Sequence, residues 1–383
     1  MLRHIDRNES RALDLLRQIV NMDSASENTG GVNALGDLLA MELAGLGFEV
    51  EKVPSPAPYG NQIVGRLGEP PFETLLVGHM DTAMPEGAAA SRPFRREGER
   101  CYGVGTVDMK GGIVCCIMGL ESFLAAHPGA KGIAVLFNSD EEPGSLYSRD
   151  VLRNLTAVSK RALVLEPAQG AVDGVVLSRK GVGIFELAVS GIASHAGSAP
   201  EKGASAIHDL THKALACLEL ANPQLETTIN IGVVSGGTQP YVVAEEASIK
   251  MDFRVKTLEE AKRVEQGLAA IRDTCFVPRT VTELKGGFHR PPMVANEANT
   301  ALFDEVRELA GRIGIKLWAG SRGGASDGNL TSAWGVSTLD GMGPYGEGAH
   351  STNEFIYTNT LTARTKLLAL ALERFAIRDQ CST

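Results

Sequence analysis

The segment Gly78-His79-Met80-Asp81-Thr82 closes one apolar run, and Ser139-Asp140-Glu141-Glu142-Pro143-Gly144 closes another. Each puts proton-transfer or metal-binding groups where a buried strand would emerge into a loop. On an extended chain His79 and Asp81 face the same way. An imidazole is a good zinc ligand. A carboxylate beside it can accept the other ring N–H, which fixes the tautomer and raises basicity. Taken alone, such a pair is a weak signal and reads more readily as a satisfied structural contact.

Asp108 lies in the glycine-rich run Gly103-Val104-Gly105-Thr106-Val107-Asp108-Met109-Lys110-Gly111-Gly112, which brings it to the start of a helix. A carboxylate has two oxygens, so one Asp can bridge two metals about 3.5–4 Å apart. The plainer reading of Asp108 is a helix N-cap. A phosphate-binding loop is excluded, because Lys110 is followed by Gly111 rather than Ser or Thr. Three acids in a row usually mark a solvated loop. At the exit of a buried strand, Asp140-Glu141-Glu142 instead need cations or protons to relieve their repulsion. Neighbouring glutamates can then divide the work, one as ligand and one as general base. Glu166 ends the next apolar run before Pro167, and His350 follows Gly346-Glu347-Gly348-Ala349. Together these residues offer nitrogen and oxygen donors suited to a pair of divalent metals and to hydrolysis.

The elements that must position them can be read from the pattern. A chain of 383 residues calls for two domains. Residues 10–22 and 31–46 carry helical apolar spacing, with Gly47 as a stop. Phe48–Val53, Gln62–Leu67 and Thr74–Val77 read as strands, and 111–126 as a buried helix. Ile133–Phe137 and Ala162–Leu165 do not alternate and read as fully buried strands. Strands alternating with helices indicate an α/β sheet with helices on both faces. Ligands of such sheets gather at the carboxyl ends of strands, where His79, Glu141 and Glu166 fall. From about Ser178 the pattern changes to β-α-β-β-α-β: Gly183–Ser190, a helix over Lys202–Ala221, Thr228–Val234, Ser248–Val255, a helix from Thr257 to about Arg272, and Thr280–Leu284. That order suggests a ferredoxin-like α+β module. The expected domains are 1–177 with 288–383, discontinuous, and an inserted 178–287.

The net charge of −9 argues against a nucleic-acid or anionic-membrane binder. The six cysteines, Cys101, Cys115, Cys116, Cys217, Cys275 and Cys381, form no CxxC pair and read as free thiols of a reducing compartment. The N-terminus lacks the apolar core of a signal peptide, and no run of about 18 apolar residues stands out as a membrane span. The cytoplasm is the expected location.

In combination, His79-Met80-Asp81-Thr82, Asp108 within Gly105–Gly112, Glu141-Glu142, Glu166 and Ala349-His350-Ser351 resemble the M20 family of dinuclear zinc peptidases and deacylases. Pro93-Phe94-Arg95, Leu136–Glu142 and Ser194-His195-Ala196-Gly197 look most like the bacterial glutamate carboxypeptidases of that family. The resemblance covers nearly the whole chain. It implies a zinc-exopeptidase-like mixed-sheet catalytic domain and a lid that dimerises. It implies two divalent metals, zinc foremost with Mn or Co as alternatives. His79, Asp108 and Glu166 would hold one, and Asp108, Glu142 and His350 the other. Glu141 would be the general base on a water held between the metals, Asp81 would orient His79, and the Asp108–Met109 peptide would be cis. His195 would reach the scissile carbonyl of a partner subunit, which implies a homodimer. Arg290 would bind the substrate's free carboxylate. Gly323-Gly324-Ala325-Ser326-Asp327 is a second pocket candidate, whose glycines, Gly324 among them, let backbone approach a ligand. Tyr241 aligns with a substrate-facing Asn of the glutamate carboxypeptidases, and a phenol there would change the preferred leaving group.

The expected activity is therefore hydrolysis of an amide next to a free carboxylate, in a dipeptide-like or N-acyl amino acid substrate. Hydrolysis of a non-peptide C–N bond, as in an aromatic amidohydrolase or deaminase, is the alternative. A non-catalytic binding protein is the remote one.

Overall fold

The computed structural model describes residues 1–170 and 173–378. Cys381 lies outside them. The chain divides into two compact units. The first holds 1–178, 295–321 and 326–383, and the second holds 179–294 and 322–325.

The first unit is built on a six-stranded sheet. In space its order runs Glu49–Val53, Gln62–Leu67, Ile133–Asn138, Thr74–His79, Arg161–Val164, Ser337–Leu339. The last four strands are mutually parallel, while Gln62–Leu67 pairs antiparallel with both of its neighbours. The sheet is thus mixed, as expected. Its central strands are apolar on both sides because both faces are covered. Leu76, Val135, Phe137 and Leu163 join a core with the helices Gly111–Ala126 and Thr358–Arg378 on one face. Leu75, Val77, Leu136 and Val164 join a second core on the other, with Leu152 of Ser148–Ala157 and Leu330 of Asp327–Ala333. That is the burial logic of parallel strands.

The helix expected over 111–126 forms as Gly111–Ala126 and is a buried core helix. With the turn before it, the stretch is long and apolar enough to cross a membrane by length and composition alone, but most of it is buried inside the protein.

A small sheet completes this unit. Gly346–Glu347 pairs with Phe355–Tyr357, which pairs with Arg100–Tyr102, which pairs with Arg95–Glu97, all antiparallel. The loop of its first hairpin carries His350.

In the second unit four antiparallel strands lie in the order Thr228–Gly236, Glu246–Val255, Gly181–Ser190, Val281–Arg290. This is the strand order of a ferredoxin-like sheet. Phe185, Leu187, Leu210, Val264 and Leu268 form its core, with the helices Ala206–Leu218 and Leu258–Asp273. The second helix starts at Thr257, whose side chain accepts the Glu260 N–H. The last strand continues through Gly286-Gly287 and pairs with Gly181–Ser190 as far as Arg290↔Val182, so Arg290 belongs to this unit. The helix predicted over Lys202–Ala221 is shorter, and its apolar side is not all buried. Leu210 is buried, but Ile207, Leu215 and Leu218 are exposed.

Candidate metal centre

Three parallel strands bring their carboxyl ends to one edge. His79 is the last residue of Thr74–His79 and lies opposite Asn138, beyond which come Asp140, Glu141 and Glu142. On the other side Val77 is opposite Val164, two residues before Glu166. Helix Gly111–Ala126 packs tightly onto this edge. A Cβ on Gly112 would sit 2.0 Å from the Leu165 carbonyl oxygen, so only glycine lets the first turn approach so closely. That approach carries the preceding irregular turn, Thr106–Lys110, and its Asp108 over the strand ends. The Asp108–Met109 peptide is cis. His350 comes from the hairpin loop and sits at φ 60°, a left-handed conformation that costs a non-glycine residue energy. Arg92 steadies the loop by donating to the Ser351 carbonyl at 3.0 Å.

The Asp108 carboxylate lies between the two imidazoles. Its Oδ1 is 3.2 Å from His79 Nε2, and its Oδ2 is 3.2 Å from His350 Nε2. Glu166 stands 3.6 Å from His79 Nε2, and Glu142 stands 3.3 Å from His350 Nε2. Glu141 shares a cluster with His79 and Glu166 whose ligand atoms all lie within 4.8 Å of one another; His79, Asp108 and Glu142 form another. All six residues predicted for the metal and base positions therefore converge.

The electrostatics match a cation site. Burial pulls the His79 imidazole down, but Asp108, Asp81 and Glu166 outweigh it and hold it well above its ordinary value. Asp108 and Glu142 push His350 up to about 11. Burial would raise Asp108, yet the two imidazoles hold it well below the usual carboxylate range. Among the described contacts, Asp81, Asp108 and Glu142 meet no Lys or Arg; their only cationic partners are these histidines. Hard oxygen donors and imidazoles crowded around so little positive charge fit divalent metal ions.

Asp81 does more than face His79. It is fully buried, and its Oδ1 lies 3.4 Å from His79 Nδ1. The same carboxylate accepts the Glu141 N–H at 3.1 Å, the Glu142 N–H at 3.2 Å and the Ser26 hydroxyl at 2.7 Å. The closer contact of His79 Nδ1, at 2.9 Å, is with the Asp81 main-chain carbonyl, so Asp81 holds the imidazole largely through its backbone and the acidic loop through its carboxylate. The three acids of that loop divide as charge repulsion demands. Asp140 turns away to accept the N–H groups of Tyr147 and Ser148 at 2.6 and 3.3 Å, at the start of helix Ser148–Ala157. Beneath the loop, buried Asp327 accepts from Asn138 and from the Ser145 hydroxyl.

The remaining predicted residues lie in the second unit. His195 is exposed, and its Nδ1 accepts the N–H groups of Gly197 and Ser198 at 3.1 and 3.2 Å. That leaves Nε2 to carry the proton of the neutral ring. Tyr241 is 59% exposed and pairs with this segment, its carbonyl accepting the Ala196 N–H at 3.0 Å. Arg290 is 3% exposed. Gly324 is exposed, its carbonyl accepts from Arg179 at 3.1 Å, and a Cβ added there would meet nothing within 4 Å. Packing does not account for glycine at that position.

Two residues escaped sequence reasoning, Ser26 and Glu354, while Asp327, read as part of a pocket, instead holds Asn138 and Ser145. Glu354 is 3% exposed and accepts backbone N–H groups from Gly105, Val107 and Asp108. A glutamate four residues after His350, flanked by Asn353 and Phe355, was the available signal for it.

Imidazoles and carboxylates gathered at the carboxyl ends of parallel strands in a mixed sheet suit a metal-dependent hydrolase. Comparison with known proteins sharpens this. The profile of peptidase family M20/M25/M40 matches residues 75–374, and the chain belongs to that family. Carboxypeptidase G2 of Pseudomonas sp. (strain RS-16) is 28% identical over 364 residues, covering 92% of this chain and 86% of that protein. Succinyl-diaminopimelate desuccinylase of Stenotrophomonas maltophilia (strain R551-3) is 27% identical over 391 residues, covering 96% and 100%. Among solved structures, aminopeptidase PepT from Bacillus cereus ATCC 10987 superposes with a TM-score of 0.78 at 22% identity, covering 96% of this chain and 99% of that one. At such identity this likeness speaks for the fold alone. The protein is an M20 enzyme that hydrolyses amide bonds with the help of metal. The comparisons favour neither the non-peptide C–N alternative nor the non-catalytic one.

Proposed function

We propose that the enzyme hydrolyses the amide bond next to a free carboxylate, in a dipeptide-like or N-acyl amino acid substrate, using two zinc ions. The observation that carries this reading is the Asp108 carboxylate set between His79 and His350, 3.2 Å from each. His79, Asp108 and Glu166 would hold one ion, and Asp108, Glu142 and His350 the other. When bound, the metal pair supplies a Lewis acid for the substrate carbonyl and lowers the pKa of water. Glu141 takes the proton of the water that attacks the carbonyl carbon. It returns that proton to the nitrogen as the C–N bond breaks. Asp81 holds the Glu141 backbone and the His79 ring in register for this. His195, with Nδ1 engaged and Nε2–H free, donates to the developing oxyanion.

His195 would act across a dimer formed by an inserted lid. Support comes from the second unit. Leu215 is 60% and Val234 71% exposed. The outer edge of Thr228–Gly236 has no strand partner among the described residues. An uncovered apolar edge of this kind calls for a partner, and a second copy fits it. The buried free thiols Cys101, Cys115, Cys116 and Cys217 support a reducing, cytoplasmic setting.

Arg290 would clamp the substrate carboxylate, with Tyr241 and Gly324 shaping the rest of the pocket. The relatives include a carboxypeptidase and a desuccinylase, and both names fit an amide beside a carboxylate. The test is a panel of N-acyl amino acids and dipeptides, each with its carboxylate free or amidated. Activity should vanish with chelator, return with zinc, and require the free carboxylate. Arg290→Ala should raise KM by roughly tenfold or more on free acids, and the amidated analogues should stay unhydrolysed. Equal turnover of free and amidated substrates would sink the proposal.

A further inference from the structure

We propose that Glu354 is a positioning residue that locks the Asp108 turn and the His350 loop into one register and thereby sets the affinity of the metal centre. The proposal rests on the metal-centre reading above and deepens it.

The argument begins with the small sheet. Phe355 is paired with Tyr102, so the chain leaving Tyr102 runs beside the chain entering Phe355. One is the turn that carries Asp108, and the other is the loop that carries His350. Glu354 continues this ladder for one more step, its carbonyl accepting the Gly103 N–H at 3.3 Å. Beyond that point neither segment has regular pairing. The Asp108 turn also has non-helical dihedrals at Asp108 and Met109.

The Glu354 side chain takes over where the ladder stops. Its Oε2 accepts the Gly105 N–H at 2.9 Å. Its Oε1 accepts the N–H groups of Val107 at 2.9 Å and Asp108 at 3.1 Å. These are the orphan donors at the start of a helical segment, which ordinarily go to a local cap or to water. Here no side chain caps the turn locally. The cap comes instead from a residue 246–249 positions away. A carboxylate suits this place, because both of its oxygens accept and both are used. It also follows His350 by only four residues, so whatever moves Glu354 moves the His350 loop against Asp108.

Glu354 places its side-chain hydrogen bonds on backbone N–H groups and on none of the metal-binding side chains. It acts through the backbone of Asp108, as supporting groups of a metal site do, and their loss typically costs 10–100-fold in metal affinity. Glu354→Gln is nearly isosteric but must turn an NH₂ toward backbone N–H groups. Cobalt titration of the metal-free protein, followed by visible absorption, reads the site without relying on turnover. We expect Glu354→Gln to weaken cobalt uptake by at least about tenfold and to change the shape of the absorption band. Leu309→Ala, a buried core change on helix Glu297–Gly311, supplies a variant destabilised without touching the site, and it should keep the wild-type spectrum. Should Glu354→Gln fail to fold, Glu354→Asp keeps the charge, shortens the reach by one methylene and is read by the same criteria. Uptake and spectrum unchanged in the Glu354 variant would overturn the proposal, as would an equal loss in Leu309→Ala. Wild-type protein that takes up no cobalt would overturn the metal reading itself.

Discussion

Asp81 is where the site is most exposed to a single substitution. Replacing it with Ala strands three donors: the Glu141 N–H, the Glu142 N–H and the Ser26 hydroxyl. A hydrogen bond to an ionised acceptor contributes about 1.5–3 kcal/mol. Three of them would sum to about 4.5–9 kcal/mol. That is a large share of the roughly 5–15 kcal/mol that holds a domain folded, so Asp81→Ala is expected to fold poorly. Asp81→Asn is the sharper probe. It keeps an acceptor for Ser26 and Glu142 at one oxygen, but it opposes an NH₂ to the Glu141 N–H. The expected loss is about 1.5–3 kcal/mol, or roughly 3–12 °C in Tm at about 2–4 °C per kcal/mol. Turnover should fall further than stability suggests, since displacing a catalytic group by about 1 Å costs roughly 10²-fold. Ser26→Ala removes one bond and should cost about 1 kcal/mol with little change in kcat. Calorimetry of metal-free and metal-loaded protein, with kcat on one substrate, decides the matter. An Asp81→Asn enzyme with native Tm and native kcat would refute the coupling of His79 to the acidic loop.

Other outcomes follow from the same geometry. Glu141→Ala should retain its metal by elemental analysis yet lose about 10³-fold or more in kcat, because general base catalysis supplies roughly 10²–10⁴; near-native turnover would remove that role. Metal uptake should release protons. Without metal, His79 is held well above its ordinary value and His350 at about 11, so both are protonated at pH 7. A metal needs the neutral rings, so apparent affinity should rise from pH 6 to pH 8, by roughly tenfold per unit for each proton released. Asp108, held low, contributes no proton. Titration calorimetry in buffers of different ionisation enthalpy counts the protons, and identical heats in all buffers would contradict the ion pairs. Finally, mixed Glu141→Ala and His195→Ala chains should recover about a quarter of wild-type activity, since half of randomly formed two-fold dimers carry one intact site. No recovery after demonstrated subunit exchange would show that His195 does not act across the interface.

Much of this was legible in the sequence because the informative features are local. Unbroken apolar runs at Ile133–Phe137 and Ala162–Leu165 announce strands covered on both faces, and the donors fall just past their ends. Thr257 announces a helix start by its own side chain. What was not legible depends on distance along the chain. Asp140 resembles its two acidic neighbours until Tyr147 and Ser148 fold back to claim it. Asp327 sits in a glycine-rich run that reads as a pocket, yet its carboxylate is spent on Asn138 and Ser145. Leu215 and Leu218 have the spacing of a core face, and only the finished fold leaves them facing outward. Glu354 is one acid among many until the backbone it caps is brought to it.

The discontinuous first unit has a consequence for how the enzyme becomes active. His79 and Asp108 come early in the chain, and His350 comes late, on a hairpin that begins at Gly346. A growing chain can therefore display only part of the donor set until that hairpin docks, and the full complement arrives as the unit closes. An ion that binds the closed form alone favours closure by mass action. Metal is then a clasp between the early and late parts of the polypeptide as well as a reagent. Starving cells of it should leave an immature, protease-sensitive chain rather than an idle but sound enzyme.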